Sequence, residues 1–135
     1  MPTEIVVVDD QELTRLGFRM VINSQADLKV IGEAADGAQA ITAARVLRPD
    51  VILMDIRMPD VNGVQAARQI IREEPRAKII LITTFDLDDY LEAGLQAGVR
   101  GFLLKDASPA QLLAAIRAVK AGEQVLPAPK AGHSA

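Results

Sequence analysis

Five short apolar runs alternate with five stretches of helical spacing, and this alternation constrains the chain more than any other feature of it. Ile5-Val-Val-Val8, Val51-Ile-Leu-Met54 and Ile79-Ile-Leu-Ile82 are unbroken, which reads as strands buried on both faces. Leu28-Lys-Val30 is interrupted and runs into Gly32, while Gly101-Phe-Leu-Leu104 is short. Between them, Leu13, Leu16, Met20 and Val21 set the apolar face of a first helix. Ile41 and Val46 mark a second, Val64, Ala67 and Ile71 a third, and Leu87, Leu91 and Leu95 a fourth. Leu112, Leu113, Ile116 and Val119 mark the fifth. Start signals stand at Asp36 with Gln39, at Asp86 and at Ser108-Pro109-Ala-Gln111, and stop signals at Gly98 and Gly122.

Strict β-α alternation implies a parallel sheet with right-handed crossovers. The unbroken runs belong at its centre and the two weaker runs at its edges. The strand order 2-1-3-4-5 satisfies both demands, so the expected fold is α/β, a flavodoxin-like (βα)5 doubly wound sheet. It should occupy residues 1–122. Residues 123–135, with Pro127, Pro129 and the lone His133, read as a linker or tail rather than part of a site.

Composition removes several classes of function. At 135 residues the chain suits one domain with a core of its own. Fifteen basic against eighteen acidic residues leave a net charge of −3, which gives no basic footprint for nucleic acid. There is no cysteine, hence no disulfide framework and no thiolate metal site. No apolar run approaches the ~20 residues needed to span a bilayer, and Met-Pro-Thr-Glu lacks the features of a signal peptide. A cytoplasmic protein without a membrane partner is the expectation.

Chemistry gathers where the strands end. Run one ends on Asp9-Asp10, run three on Asp55, run four on Thr83-Thr84 and run five on Lys105. In the order 2-1-3-4-5 these ends are neighbours, and open α/β sheets bind ligands in the crevice beyond their carboxyl ends. Each residue alone has a plainer reading: Asp9-Asp10 as a helix cap, Asp55 as a loop acid, Thr83 as a strand-end hydroxyl, Lys105 as a solvated edge charge. Their coincidence at four successive strand ends is what those readings leave unexplained. Carboxylates so gathered repel one another unless a cation joins them, and an all-oxygen set with room for water and phosphate describes Mg²⁺.

On these residues the chain resembles the receiver domain of two-component response regulators. The motifs are Val-Val-Asp9-Asp10, Leu-Met-Asp55-Ile-Arg-Met58-Pro59, Gly63, Ile-Thr83-Thr84-Phe85 and Gly101-Phe102-Leu-Leu-Lys105. The wording around Thr83 and Lys105 is most similar to the NarL/FixJ branch, whose members usually carry a carboxy-terminal LuxR-type helix-turn-helix domain. The resemblance implies that Asp55 accepts a phosphoryl group from a sensor histidine kinase. It implies that Asp10 binds Mg²⁺ directly, Asp9 through water, and Arg57 through its backbone carbonyl. Lys105 and Thr83 would hold the phosphoryl group, and Phe102 would follow Thr83 inward as the switch aromatic. Arg57 and Phe85 would flank the approach of hydrolytic water. Homodimerisation on phosphorylation, and DNA contact only through the carboxy-terminal domain, belong to the same expectation. Asp106 stands where most receivers have proline, which opens the geometry of the Lys105–Asp106 peptide.

Three other readings compete. An aspartate-nucleophile phosphatase needs a second acid two residues after the first, and Arg57 occupies that place. A flavin carrier needs a phosphate loop after strand one, where Asp9-Asp10 would repel phosphate. A receiver-like module that pairs without phosphorylation stays open. The resemblance implies a signalling phosphoacceptor rather than an enzyme in the ordinary sense.

Overall fold

The computed structural model describes residues 1–84 and 87–126. The elements follow in strict alternation: β1 (Thr3–Val8), α1 (Glu12–Asn23), β2 (Leu28–Ala34), α2 (Gly37–Leu47), β3 (Val51–Asp55), α3 (Gly63–Glu73), β4 (Ile79–Thr83), α4 (Leu87–Ala97), β5 (Gly101–Leu104) and α5 (Pro109–Lys120). The sheet is parallel throughout, in the order β2-β1-β3-β4-β5. The three unbroken apolar runs are its centre and the two weaker runs its edges, as the sequence implies.

Alternation along each central strand sends successive side chains to opposite faces. Val6, Val8, Ile52, Met54, Ile79 and Leu81 pack beneath α2, α3 and α4 with Ala40, Ala67, Ile70 and Phe102. Ile5, Val7, Val51, Leu53, Ile80 and Ile82 pack on the other face with Ile22 of α1 and with Leu112, Ile116 and Val119 of α5. A fully buried Ile or Leu contributes about 2 kcal/mol, so both layers are needed to hold the strand ends in line.

Local signals fix the helix starts. Asn62 and Gln65 form a reciprocal capping box on α3, and Ser108 and Gln111 form another on α5, with Pro109 in its first turn. Asp36 caps α2 through Gln39, whose side chain reaches back to the amide of Ala35. Gly98 ends α4 in the left-handed region at φ +99°. The cap expected from Asp86 lies outside the described residues.

Three helix faces differ from the expectation. On α1, Leu13 and Met20 are 82% and 66% exposed, whereas Phe18, Val21 and Ile22 turn to the core. On α2, Val46 is 74% exposed, and Leu95 of α4 also faces out. On α1 the two apolar stripes lie nearly half a turn apart, and the direction of the sheet selects between them.

Regular contact continues past Gly122. Val125 forms a parallel bridge to Gly101, its amide donating to Arg100 O at 2.9 Å and its carbonyl accepting from Phe102 N at 3.0 Å. The segment thereby covers part of the exposed edge of β5. His133 and residues 127–135 lie outside the described residues, and no described helix is long and apolar enough to cross a membrane.

Candidate functional site

The strand ends meet as their neighbouring positions demand. Asp9 follows β1, and its amide donates to Ala34 O at 3.0 Å, which ties it to β2. Asp55 closes β3 opposite Ile82, and the next amide, Ile56 N, donates to Ile82 O at 2.9 Å. Thr83 closes β4, fully buried, and its carbonyl accepts from Lys105 N at 2.7 Å. The backbone therefore sets the spacing of Asp55, Thr83 and Lys105 before any side chain acts.

The loop after Asp55 is pinned by Gly63. A Cβ there would collide with the carbonyl oxygen of Asp55 and lie 2.8 Å from Ile56 Cα. Gly63 N donates to Ile56 O at 2.8 Å, so α3 starts directly against the end of β3. Only a residue without a side chain permits that approach.

Asp9, Asp10 and Asp55 each offer a carboxylate oxygen within 4.8 Å of the others. Asp9 and Asp55 are buried and Asp10 is exposed. Lys105 Nζ lies 3.1 Å from Asp9 Oδ2 and 3.3 Å from Asp55 Oδ2. The Asp55 contact is a hydrogen bond. That to Asp9 is an ion pair without hydrogen-bond alignment, which leaves Asp9 Oδ2 a buried oxygen with no hydrogen-bond partner. Asp9 Oδ1 accepts from Gln11 N at 2.8 Å and Asp55 Oδ1 from Arg57 N at 3.3 Å. The cap reading of Asp9 is thus replaced by a local turn: α1 has Gln11 at its cap position, with no side-chain cap bond.

Burial, and then the charge of Asp9, push the carboxyl of Asp55 above the ordinary aspartate range, against the pull of Lys105. For Lys105, burial draws the ammonium down, yet its pairing with Asp9 and the charge of Asp55 outweigh this and hold it above the ordinary lysine value. Three clustered acids, two of them sharing the ammonium of Lys105, leave an excess of negative charge. An all-oxygen cluster with an orphaned buried carboxylate oxygen fits a hard divalent ion.

The remaining expected residues fall around this cluster. Phe102 is buried on β5 beside Leu81, and a Cβ at Gly94 of α4 would lie 2.7 Å from its ring. Arg57 is exposed, and the Lys105–Asp106 peptide is trans. Phe85 lies outside the described residues. Sequence reasoning missed Arg15 of α1, whose Nη1 donates to the carbonyl of Asp9 at 2.6 Å. Nothing in the local pattern marks it, because its partners are a backbone oxygen and a glutamate eighteen positions along the chain.

Comparison with known proteins decides the family. Residues 5–117 match the model of the response regulator receiver domain. The chain belongs to that family. A transcriptional regulatory protein of Bacillus subtilis, YxjL, is 48% identical over 121 residues, which are 90% of this chain and 56% of that protein. The response regulator protein VraR of Staphylococcus aureus is 38% identical over 125 residues, 93% of this chain and 60% of the relative. The receiver thus spans a little over half the length of these curated relatives. A LuxR-family response regulator from Aurantimonas superposes with a TM-score of 0.88 at 31% identity, covering 93% of this chain and 89% of that one. The receiver domain of a NarL-type regulator from Mycobacterium tuberculosis gives 0.86 at 34%, covering 90% and 98%. The relatives place this receiver among the LuxR/NarL-type response regulators.

Proposed function

We propose that this receiver takes a phosphoryl group on Asp55 from a sensor histidine kinase in the cytoplasm, and that the modification drives self-association. In a longer protein this would pair attached DNA-binding domains. The observation that carries the reading is the cluster itself: three gathered carboxylates, two of them on one ammonium, with Asp55 raised and Asp9 Oδ2 without a hydrogen-bond partner.

Asp10, Asp9, Asp55 and the Arg57 carbonyl would hold Mg²⁺, Asp9 through water. Bound there, the ion supplies positive charge for the phosphoryl oxygens and offsets the repulsion among the acids. The chain's own residues do the rest. Asp55 is the nucleophile, its carboxylate held from the flank by the Arg57 amide. Lys105, already on Asp55, would move to a phosphoryl oxygen as a point charge. Thr83 would turn its hydroxyl to the same group, and Phe102 would report that motion along β5. Added charge of about −2 favours whichever loop arrangement lets Thr83 and Lys105 reach it.

Arg57 and Phe85, two places after Asp55 and Thr83, would shield the acyl phosphate and slow its hydrolysis. Arg57→Asn and Phe85→Glu should then shorten its lifetime. The exposed stripe of Leu13 and Met20 supports the face of α1 and α5 as the surface of self-association. Residues 1–122 would be the receiver, and 123–135 the path toward the next domain.

Incubation with Mg²⁺ and acetyl phosphate, followed by intact-mass measurement and peptide mapping, tests the reading. One adduct of about 80 Da on Asp55, absent in Asp55→Asn, is expected. No adduct, or one on another residue, overturns it and leaves the phosphorylation-independent module.

A further inference from the structure

The carbonyl of Asp9 is the pivot of the acidic loop, because it sets the peptide plane that leads into Asp10. It is held from outside the loop. Arg15 Nη1 donates to it at 2.6 Å, and Arg15 Nε donates to Glu33 Oε1 at 3.2 Å. The other oxygen of Glu33 accepts from Arg19 Nη1 at 2.6 Å. The side chain of Arg15 is 17% exposed against 43% for Arg19, so the inner arginine is the one committed to the loop. β2 contributes twice, since Ala34 O takes the amide of Asp9 while Glu33 aims the guanidinium at its carbonyl. Gln11 N fixes Oδ1. Asp9 is therefore restrained at its amide, its carbonyl and one carboxylate oxygen, and only Oδ2 is left facing Lys105 and Asp55.

We propose that Arg15, aimed by Glu33, is a positioning residue for the acidic pair: it fixes the Asp9–Asp10 peptide plane and so sets where both carboxylates stand to receive a divalent cation. The proposal rests on the reading of the cluster as a Mg²⁺ site, and it goes beyond that reading by naming what holds the site open. A planar guanidinium bridging a carbonyl and a carboxylate is rigid in a way that a single ammonium is not. Outer groups that orient metal ligands commonly change affinity about ten-fold or more when removed. α1 carries no side-chain cap at Gln11, so Arg15 is also the side-chain tie between its first turns and the loop.

The experiment is a Mg²⁺ titration of the metal-free protein, followed through backbone amide shifts in the wild type and in Arg15→Ala, Arg15→Lys and Glu33→Gln. Amide exchange is measured in parallel without metal. In Arg15→Ala, Mg²⁺ affinity should fall about ten-fold, and the amides of Asp10 and Gln11 should exchange faster than those of β1. Arg15→Lys should recover part of the affinity and Glu33→Gln should fall between. Phosphorylation by acetyl phosphate should slow in Arg15→Ala at low Mg²⁺ and return toward the wild-type rate at saturation. Affinity within two-fold of wild type in Arg15→Ala overturns the proposal, whatever happens to its Tm. So does an absence of Mg²⁺ binding in the wild type. If Arg15→Ala does not fold, Arg15→Lys and Glu33→Gln decide by the same criterion. A chain that binds Mg²⁺ in this Arg15-dependent way but takes no phosphoryl group sinks the proposed function and leaves this inference standing.

Discussion

The two ends of the sheet treat their acids in opposite ways. At the end where the strands begin, Asp50, Asp27 and Glu73 each have partners of their own. Asp50 accepts from Glu4 N at 2.8 Å and from Lys120 Nζ at 2.9 Å. Asp27 takes the fork of Arg117 at 2.9 Å on both oxygens, and Glu73 takes that of Arg45 at 2.6 and 2.7 Å. At the end where the strands finish, Asp9 and Asp55 share Lys105, with Asp10 crowded beside them. The carboxyls at the first end are held below their ordinary values and Asp55 above its own. Paired acids stabilise the fold, whereas crowded acids make it receptive to a cation.

Lys105→Ala should break this contrast most severely, because it takes the ammonium away from both buried acids at once. In metal-free buffer at neutral pH we expect a loss of about 2 kcal/mol, measured by urea unfolding. Millimolar Mg²⁺ should restore a substantial part. A loss that Mg²⁺ leaves untouched would mean that the lysine's methylenes, not the repulsion of the acids, set the cost.

At the other end, Asp50→Ala removes the acceptor for both an amide and an ammonium and should cost about 1 kcal/mol. The sign in pH follows from its environment. Burial raises the carboxyl of Asp50, but the Glu4 amide, Lys120 and Lys78 outweigh it and lower it overall. Its stabilisation is therefore present above its ordinary value of 3.8 and fades as pH falls below that value. The gap between wild type and Asp50→Ala should close on acidification.

Asp55→Asn should act the other way, with a rise of a few degrees in Tm in metal-free buffer. The folded state holds the proton of Asp55 more tightly than the unfolded chain does, so the presence of this group destabilises the fold once pH rises above 3.8. The advantage of Asp55→Asn should grow with pH through that region and shrink when Mg²⁺ is added. A lower Tm in the variant would show that the bond to Lys105 outweighs burial and the charge of Asp9.

What the sequence made legible divides along the same line as the physics. The order of the strands follows from which apolar runs are unbroken, and the site follows from which residues end them, since both are properties of contiguous residues. The cap on α5 is equally local. The core face of α1 is not, because Leu13, Leu16 and Met20 repeat as regularly as Phe18, Val21 and Ile22 do. Only the position of β1, β3 and α5 shows which stripe is covered. Arg15 and Glu33, or Val125 and Phe102, meet through the fold alone, and their spacing carries no signature. The pairing of Asp50 with Lys120 is of the same kind, seventy positions apart. Sequence therefore reveals the acids that are crowded together at strand ends better than those that are satisfied across the fold.

Glu73→Gln should be the mildest change and the sharpest check on that division. The fork of Arg45, with help from Gln69, lowers the carboxyl of Glu73 from 4.5 to about 2, yet the pair stands on the surface. Exposed pairs lose most of their attraction to solvent and salt, so Tm at pH 7 should hardly move. The effect should appear in the acid limb. A depressed carboxyl stabilises the fold above its unfolded value and loses that contribution as pH falls from 4.5 toward about 2. Glu73→Gln removes one such proton uptake, so its stability should fall less steeply over that interval, and 0.5 M salt should erase the difference. Persistence of the difference at high salt would mean that the bidentate geometry of Arg45, rather than its charge, holds α2 to α3. The beginning of the sheet would then owe its stability to fixed hydrogen bonds, while its far end owes its receptivity to net charge.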